Sequence, residues 1–109
     1  MHTVINEECI YLKKGAEIIR TEYTSICYIE VRGYMIQIVL EGGEVVNQWQ
    51  SLKEFQNQLP DYFVKISRSK VVNWEKVISV DRKSKTVKLN NNSEHTISVR
   101  KLQEILRFL

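Results

Sequence analysis

Proline and glycine are scarce, one and four in 109 residues, and cysteine occurs only twice. So few chain breakers, with 43% hydrophobic residues, exclude a collagen-like or intrinsically disordered chain. One compact domain over residues 1–109 is expected, with residues 1–8 as a linker or a cut end. No apolar run approaches the roughly 18 residues that cross a bilayer. The opening MHTVINEE carries acids where a signal peptide has a basic segment. A cytoplasmic protein without membrane contact is the expectation.

Catalytic signatures are also missing: there is no P-loop, GxGxxG, GxSxG or HExxH. The two histidines, His2 and His95, have no carboxylate or cysteine at a fixed spacing. His2 is terminal, and His95 opens a strand as a surface residue. Cys9 and Cys27 lack metal-ligand spacing and read as buried free thiols. Neither an enzyme nor a metal or cofactor site is expected. Asn91-Asn92-Ser93 spells a glycosylation acceptor but reads as a turn in a chain that is not exported.

What is present is an uneven charge. Residues 1–60 hold five Lys/Arg against eight Glu, whereas residues 61–109 hold eleven Lys/Arg against five Asp/Glu. A basic second half suits a polyanion such as nucleic acid, and equally suits a solvated lysine-rich surface.

Period-two alternation dominates the chain. Tyr34, Ile36, Ile38 and Leu40 share one face, and Val87 and Leu89 alternate with Thr86, Lys88 and Asn90. Strands are predicted at 9–13, 17–20, 26–31, 34–41, 44–48, 63–66, 77–81, 86–90 and 95–98, joined by turns at Lys14-Gly15, Arg32-Gly33, Gly42-Gly43, Arg82-Lys83-Ser84 and Asn90 to Ser93. Two stretches read as helix. Ser51-Leu52-Lys53-Glu54 is a capping box leading Leu52, Phe55 and Leu59 along one face until Pro60. Leu102, Ile105, Leu106 and Leu109 form the apolar stripe of a C-terminal helix, with Arg100, Lys101 and Arg107 near its ends or outer face.

Three polar clusters fall on loops or element ends: Arg32-Gly33-Tyr34, Ser67-Arg68-Ser69-Lys70 and Ser98-Val99-Arg100-Lys101. Arg68 and Arg100 can each fork two donors onto guanine O6 and N7, while the neighbouring Ser and Lys suit phosphate oxygens. Each cluster alone reads sooner as a solvated turn that happens to hold Arg.

Taken together with their surroundings, these residues resemble a known family. Phe63-x-x-Ile66-x-Arg68-Ser69-x-x-Val72-Asn73, followed by Val77-Ile78, is similar to the signature of the LytTR family of bacterial DNA-binding domains. Leu52-Lys53-Glu54 to Leu59-Pro60 resembles its short helix, Tyr28-Ile29-Glu30 with Tyr34 its early hairpin, and Ile97-Ser98-x-Arg100 with Leu102 its C-terminal element. The resemblance implies a mainly β fold: elongated antiparallel sheets and hairpins with one short internal helix and a short C-terminal helix.

By the same resemblance the loops enter major grooves of double-stranded DNA. Tyr34, Arg68 and Arg100 become base-reading candidates, and Ser69, Ser98 and Lys101 phosphate-contact candidates. Asn73 is expected to hold the loop backbone. Arg68 and Arg100, at the ends of different elements, are expected in separate grooves about 34 Å apart. The implied role is the output domain of a two-component transcriptional regulator, with direct repeats in a promoter, a homodimer on DNA and an upstream receiver domain as further expectations. Ser67 stands where many members have His, and Val99 where many have Arg, so the target site does not carry over. The alternatives are a β-rich RNA or single-strand binder, for which Tyr23, Tyr28, Tyr34, Trp49 and Trp74 read as scattered, and a protein-interaction module using a sheet edge.

Overall fold

The computed structural model describes residues 8–108. His2 and Leu109, named above, lie outside the described residues. Ten strands and two short helices follow in the order β1 (Cys9–Lys14), β2 (Glu17–Glu22), β3 (Ile26–Arg32), β4 (Met35–Leu40), β5 (Val45–Gln48), α1 (Leu52–Gln56), β6 (Phe63–Ser67), β7 (Lys70–Asn73), β8 (Val77–Asp81), β9 (Thr86–Leu89), β10 (Glu94–Thr96) and α2 (Val99–Leu106). All pairings are antiparallel. The molecule is long and flat, 50 × 34 × 24 Å, so the elongated β expectation holds.

The centre is a five-stranded sheet ordered β5-β4-β3-β7-β6. A separate apolar cluster packs against each of its faces. Ile26, Ile29, Ile36, Ile38 and Val71 meet Ile10 and Leu12 of β1 and Leu52 and Phe55 of α1 on one side. Cys27, Ile66 and Val72 meet Val87, Leu89, Ile97 and Leu102 on the other. The β1–β2 hairpin and the β10-β9-β8 sheet therefore cover opposite faces.

This two-sided burial explains the strand that periodicity misses. β7 is interior, flanked by β3 and β6, and its Val71, Val72 and Asn73 are all buried. A strand covered on both faces shows no alternation to read. Asn73 is also satisfied internally: its Nδ2 donates to the Ile26 carbonyl (3.0 Å) and its Oδ1 accepts from the Glu75 amide (3.0 Å). It holds backbone, as expected.

The capping box forms, with one change of partner. Ser51 Oγ accepts from the Glu54 amide (3.1 Å), and the Glu54 carboxylate accepts the Ser51 hydroxyl (3.0 Å) rather than a backbone amide. Helical geometry ends at Gln56, and the chain runs through turns to Leu59 before Pro60. Ser51→Ala is expected to lower stability by about 1 kcal/mol through the lost cap. A urea titration checks this: the midpoint falls while the m-value stays constant. Both cysteines are buried and neither forms a disulfide, and burial pushes the Cys27 thiol pKa up.

Candidate nucleic-acid interface

Local turn chemistry builds the first projection. Arg32 pairs with Met35, leaving Gly33-Tyr34 as a two-residue turn between β3 and β4. Gly33 takes φ 63°, which only glycine adopts freely at the first position of such a hairpin. The turn thrusts Tyr34 into solvent, 93% exposed. Arg32 behind it is braced: its Nε donates to Gln37 Oε1 (3.2 Å) and its Nη2 to Glu30 Oε1 (3.0 Å).

The second projection is the β6–β7 turn, Arg68-Ser69, closed by the Ser67–Lys70 pair. Its position is fixed from two directions. Ser69 O accepts from the Val31 amide (2.9 Å), which stitches the turn to β3. Tyr34, on the turn that closes just beyond Val31, thus stands close to the β6–β7 turn. On β6 the register slips between Lys65 and Ser67, and the carbonyl of Ile66 turns to accept from the Ser98 amide (2.8 Å).

That last bond brings in the third cluster. Ser98 is the N-cap of α2, its Oγ accepting from the Lys101 amide (3.2 Å). The first turn of α2 is held against the β6–β7 turn as a result. Lys65, Ser67, Arg68, Ser98, Arg100, Lys101 and Glu104 line one shallow concavity. The expected wide separation of Arg68 from Arg100 is thereby corrected: the Ile66–Ser98 bond gathers both into a single site. The Arg100 side chain is 92% exposed, with Glu104 Oε1 at 4.0 Å, while Lys101 is tied to Glu104 Oε2 at 2.8 Å. The Lys101 ammonium holds the Glu104 carboxyl below its usual range. Arg68 has no acidic partner among the described residues.

Lys70 departs from its sequence reading. Its ammonium is turned inward, 3.2 Å from Glu30 Oε2 and 3.0 Å from His95 Nδ1, and 5.4 Å from the centroid of the Tyr28 ring. It braces the base of the turn instead of facing outward to phosphate. Burial alone would raise the Glu30 pKa, but Lys70 and Arg32 outweigh it and the carboxyl sits below its usual value.

His95 is the other correction: it is buried, 5% exposed, not a surface residue. β10 alternates outward Glu94 and Thr96 with inward His95, Ile97 just past its end is buried too, and the imidazole packs on Tyr28 with ring centroids 4.3 Å apart. The hydrogen bonds dictate its tautomer. Lys70 can only donate, so Nδ1 accepts; Nε2–H then donates to Ser93 Oγ (2.8 Å), whose proton goes to Asn91 Oδ1 (2.5 Å). A proton on Nδ1 would confront the Lys70 ammonium. Burial first, then Lys70, lower the His95 pKa from 6.5 to about 4.

Further cations gather where sequence reading saw only a turn. Asp81 Oδ1 accepts from the amides of Lys83 (2.9 Å) and Ser84 (3.0 Å), shaping the β8–β9 turn and leaving Arg82, Lys83 and Lys85 exposed. Those amides hold the Asp81 carboxyl below its usual pKa. The Lys85 carbonyl accepts from the Ile97 amide (3.0 Å), which sets this basic turn beside the entry to α2. Its cationic composition was visible in the sequence; its neighbour was not.

A model of the LytTr DNA-binding domain family matches residues 16–109. Among solved structures, the chain is similar to the LytTr DNA-binding domain of a methyl-accepting/DNA response regulator from Bacillus cereus. The two are 21% identical, the match covers 92% of this chain and 94% of that one, and the TM-score is 0.77. No curated protein matches the sequence.

Proposed function

Because the chain belongs to the LytTr DNA-binding domain family, we propose that its role in transcription regulation is sequence-specific binding of double-stranded DNA through its projecting turns. The observation that supports this reading most is the gathering of Arg68, Arg100, Ser98 and Lys101 round one open concavity, with exposed Tyr34 projecting past the neighbouring strand pair. The exposed guanidinium of Arg100, and that of Arg68, which has no acidic partner among the described residues, would fork onto base edges. Ser69, Ser98 and Lys101 would meet phosphates and set the register. Tyr34 and the Arg68–Arg100 site would reach base edges from neighbouring turns, since the β6–β7 turn is bonded to β3 just behind Tyr34.

In this reading the protein is a cytoplasmic, non-enzymatic output domain needing no metal or cofactor. A receiver domain upstream would deliver the signal, and two copies would occupy direct repeats in a promoter. The whole of residues 1–109 would act as one domain.

Competition binding with duplex DNA, single-stranded DNA and RNA at two salt concentrations tests the proposal. Duplex should win, with log K falling against log salt by about 0.9 for each phosphate contacted. Preference for single strands or RNA, or binding indifferent to salt, would overturn it.

A further inference from the structure

We propose that Trp49 is a DNA contact in its own right, the indole face lying on a deoxyribose and the ring N–H donating to a phosphate beside the groove entered by Tyr34. The inference rests on the DNA-binding reading above and adds a residue to it. Trp49 is 76% exposed, an unusual cost for so large an apolar ring. Its exposure does not come from a slack loop. Gln48 before it is clamped to β1, its Oε1 accepting from the Lys13 amide (3.2 Å) and its Nε2 donating to the Lys13 carbonyl (2.6 Å). Ser51 after it is fixed by the α1 cap. Trp49 and Gln50 are thus a two-residue span between two anchors, and the ring is presented outward.

The place of presentation matters as much. Ile36 pairs with Gln48, so Trp49 emerges beside Met35, next to the Tyr34 turn. Val31, Gly33, Tyr34, Met35, Trp49 and Gln50 border one depression. The two aromatics that read as scattered in sequence are brought together here. None of the residues lining this depression carries a carboxylate. On its other side Trp49 borders a second depression whose one charged residue is Lys13. An apolar ring with a single N–H donor, bordered by two depressions whose lining residues carry no carboxylate, matches the chemistry of a sugar–phosphate backbone.

The test compares wild type, Trp49→Phe and Trp49→Ala on two fluorescently labelled duplexes, one selected from a random library by wild type and one random. Anisotropy reports binding and intrinsic tryptophan emission reports the ring; the Trp74 signal is common to wild type and Trp49→Phe and cancels between them. Emission should change on saturation in wild type and not in Trp49→Phe. Trp49→Ala should bind both duplexes about tenfold more weakly while melting at the wild-type temperature. If emission responds identically in wild type and Trp49→Phe, or Trp49→Ala binds as wild type does, the contact is refuted while anisotropy still upholds DNA binding. Loss on the selected duplex alone would refute the backbone assignment. Failure of wild type to bind any duplex would remove the functional reading and this inference together.

Discussion

Acidification from pH 7 to 4 is expected to remove stability on the order of 3 kcal/mol through His95 alone. The folded pKa of about 4 lies below the ordinary 6.5. Between those values the unfolded chain binds a proton that the folded chain refuses, so protons favour unfolding. The contribution is whole above pH 6.5 and is lost as pH falls through about 4. Lys70, Glu30, Tyr28 and Ser93 are the polar groups around the ring, and Glu30, with its own lowered pKa, adds to the loss as pH nears and falls below its ordinary 4.5. Urea unfolding at closely spaced pH values from about 7 to about 5.5, above the range where Glu30 and Glu104 begin to contribute, therefore isolates the imidazole. Wild type should weaken steadily across that range, and His95→Gln, which keeps a donor and an acceptor but does not titrate, should be flat. A flat wild-type curve would mean that His95 is protonated in the folded protein and the Lys70 hydrogen bond is wrongly assigned.

Arg68→Ala and Arg100→Ala should each weaken binding to the selected site by about 1 to 3 kcal/mol and relax preference at the same or neighbouring base pairs. The reason is the shared concavity: two guanidinium groups held by the Ile66–Ser98 bond reach one stretch of groove. Lys101→Ala should instead weaken all duplexes alike, since a phosphate contact carries no direct sequence information. Selection from a randomised duplex library with the three variants checks this. Preference lost at positions a full helical turn apart would restore the separate-groove expectation for the two arginines.

The hairpins were legible because their causes are local. Gly33-Tyr34, Gly42-Gly43 and Arg82 to Ser84 carry their own turn chemistry between alternating strands, and Ser51 and Ser98 announce the helix starts. β7 was not, because Val71 and Val72 face different clusters and show no period. His95 was legible in principle, since it alternates with Ile97 on the inward side, but an isolated histidine gives no hint that Lys70 and Tyr28 will meet it. The site itself follows from three backbone bonds between distant segments: Val31 to Ser69, Ser98 to Ile66 and Ile97 to Lys85. The first and third extend the β3–β7 and β9–β10 ladders and the second joins β6 to the start of α2, pairings that no spacing within the chain encodes.

The most direct measurement is amide chemical-shift mapping of the isotopically labelled protein with the selected duplex. Shifts should concentrate at residues 32–35, 67–70, 82–85 and 98–101 and fade as salt is raised. Shifts centred instead on the apolar groove between Val77, Ile78 and Phe108, with these turns silent, would contradict a DNA face built from them.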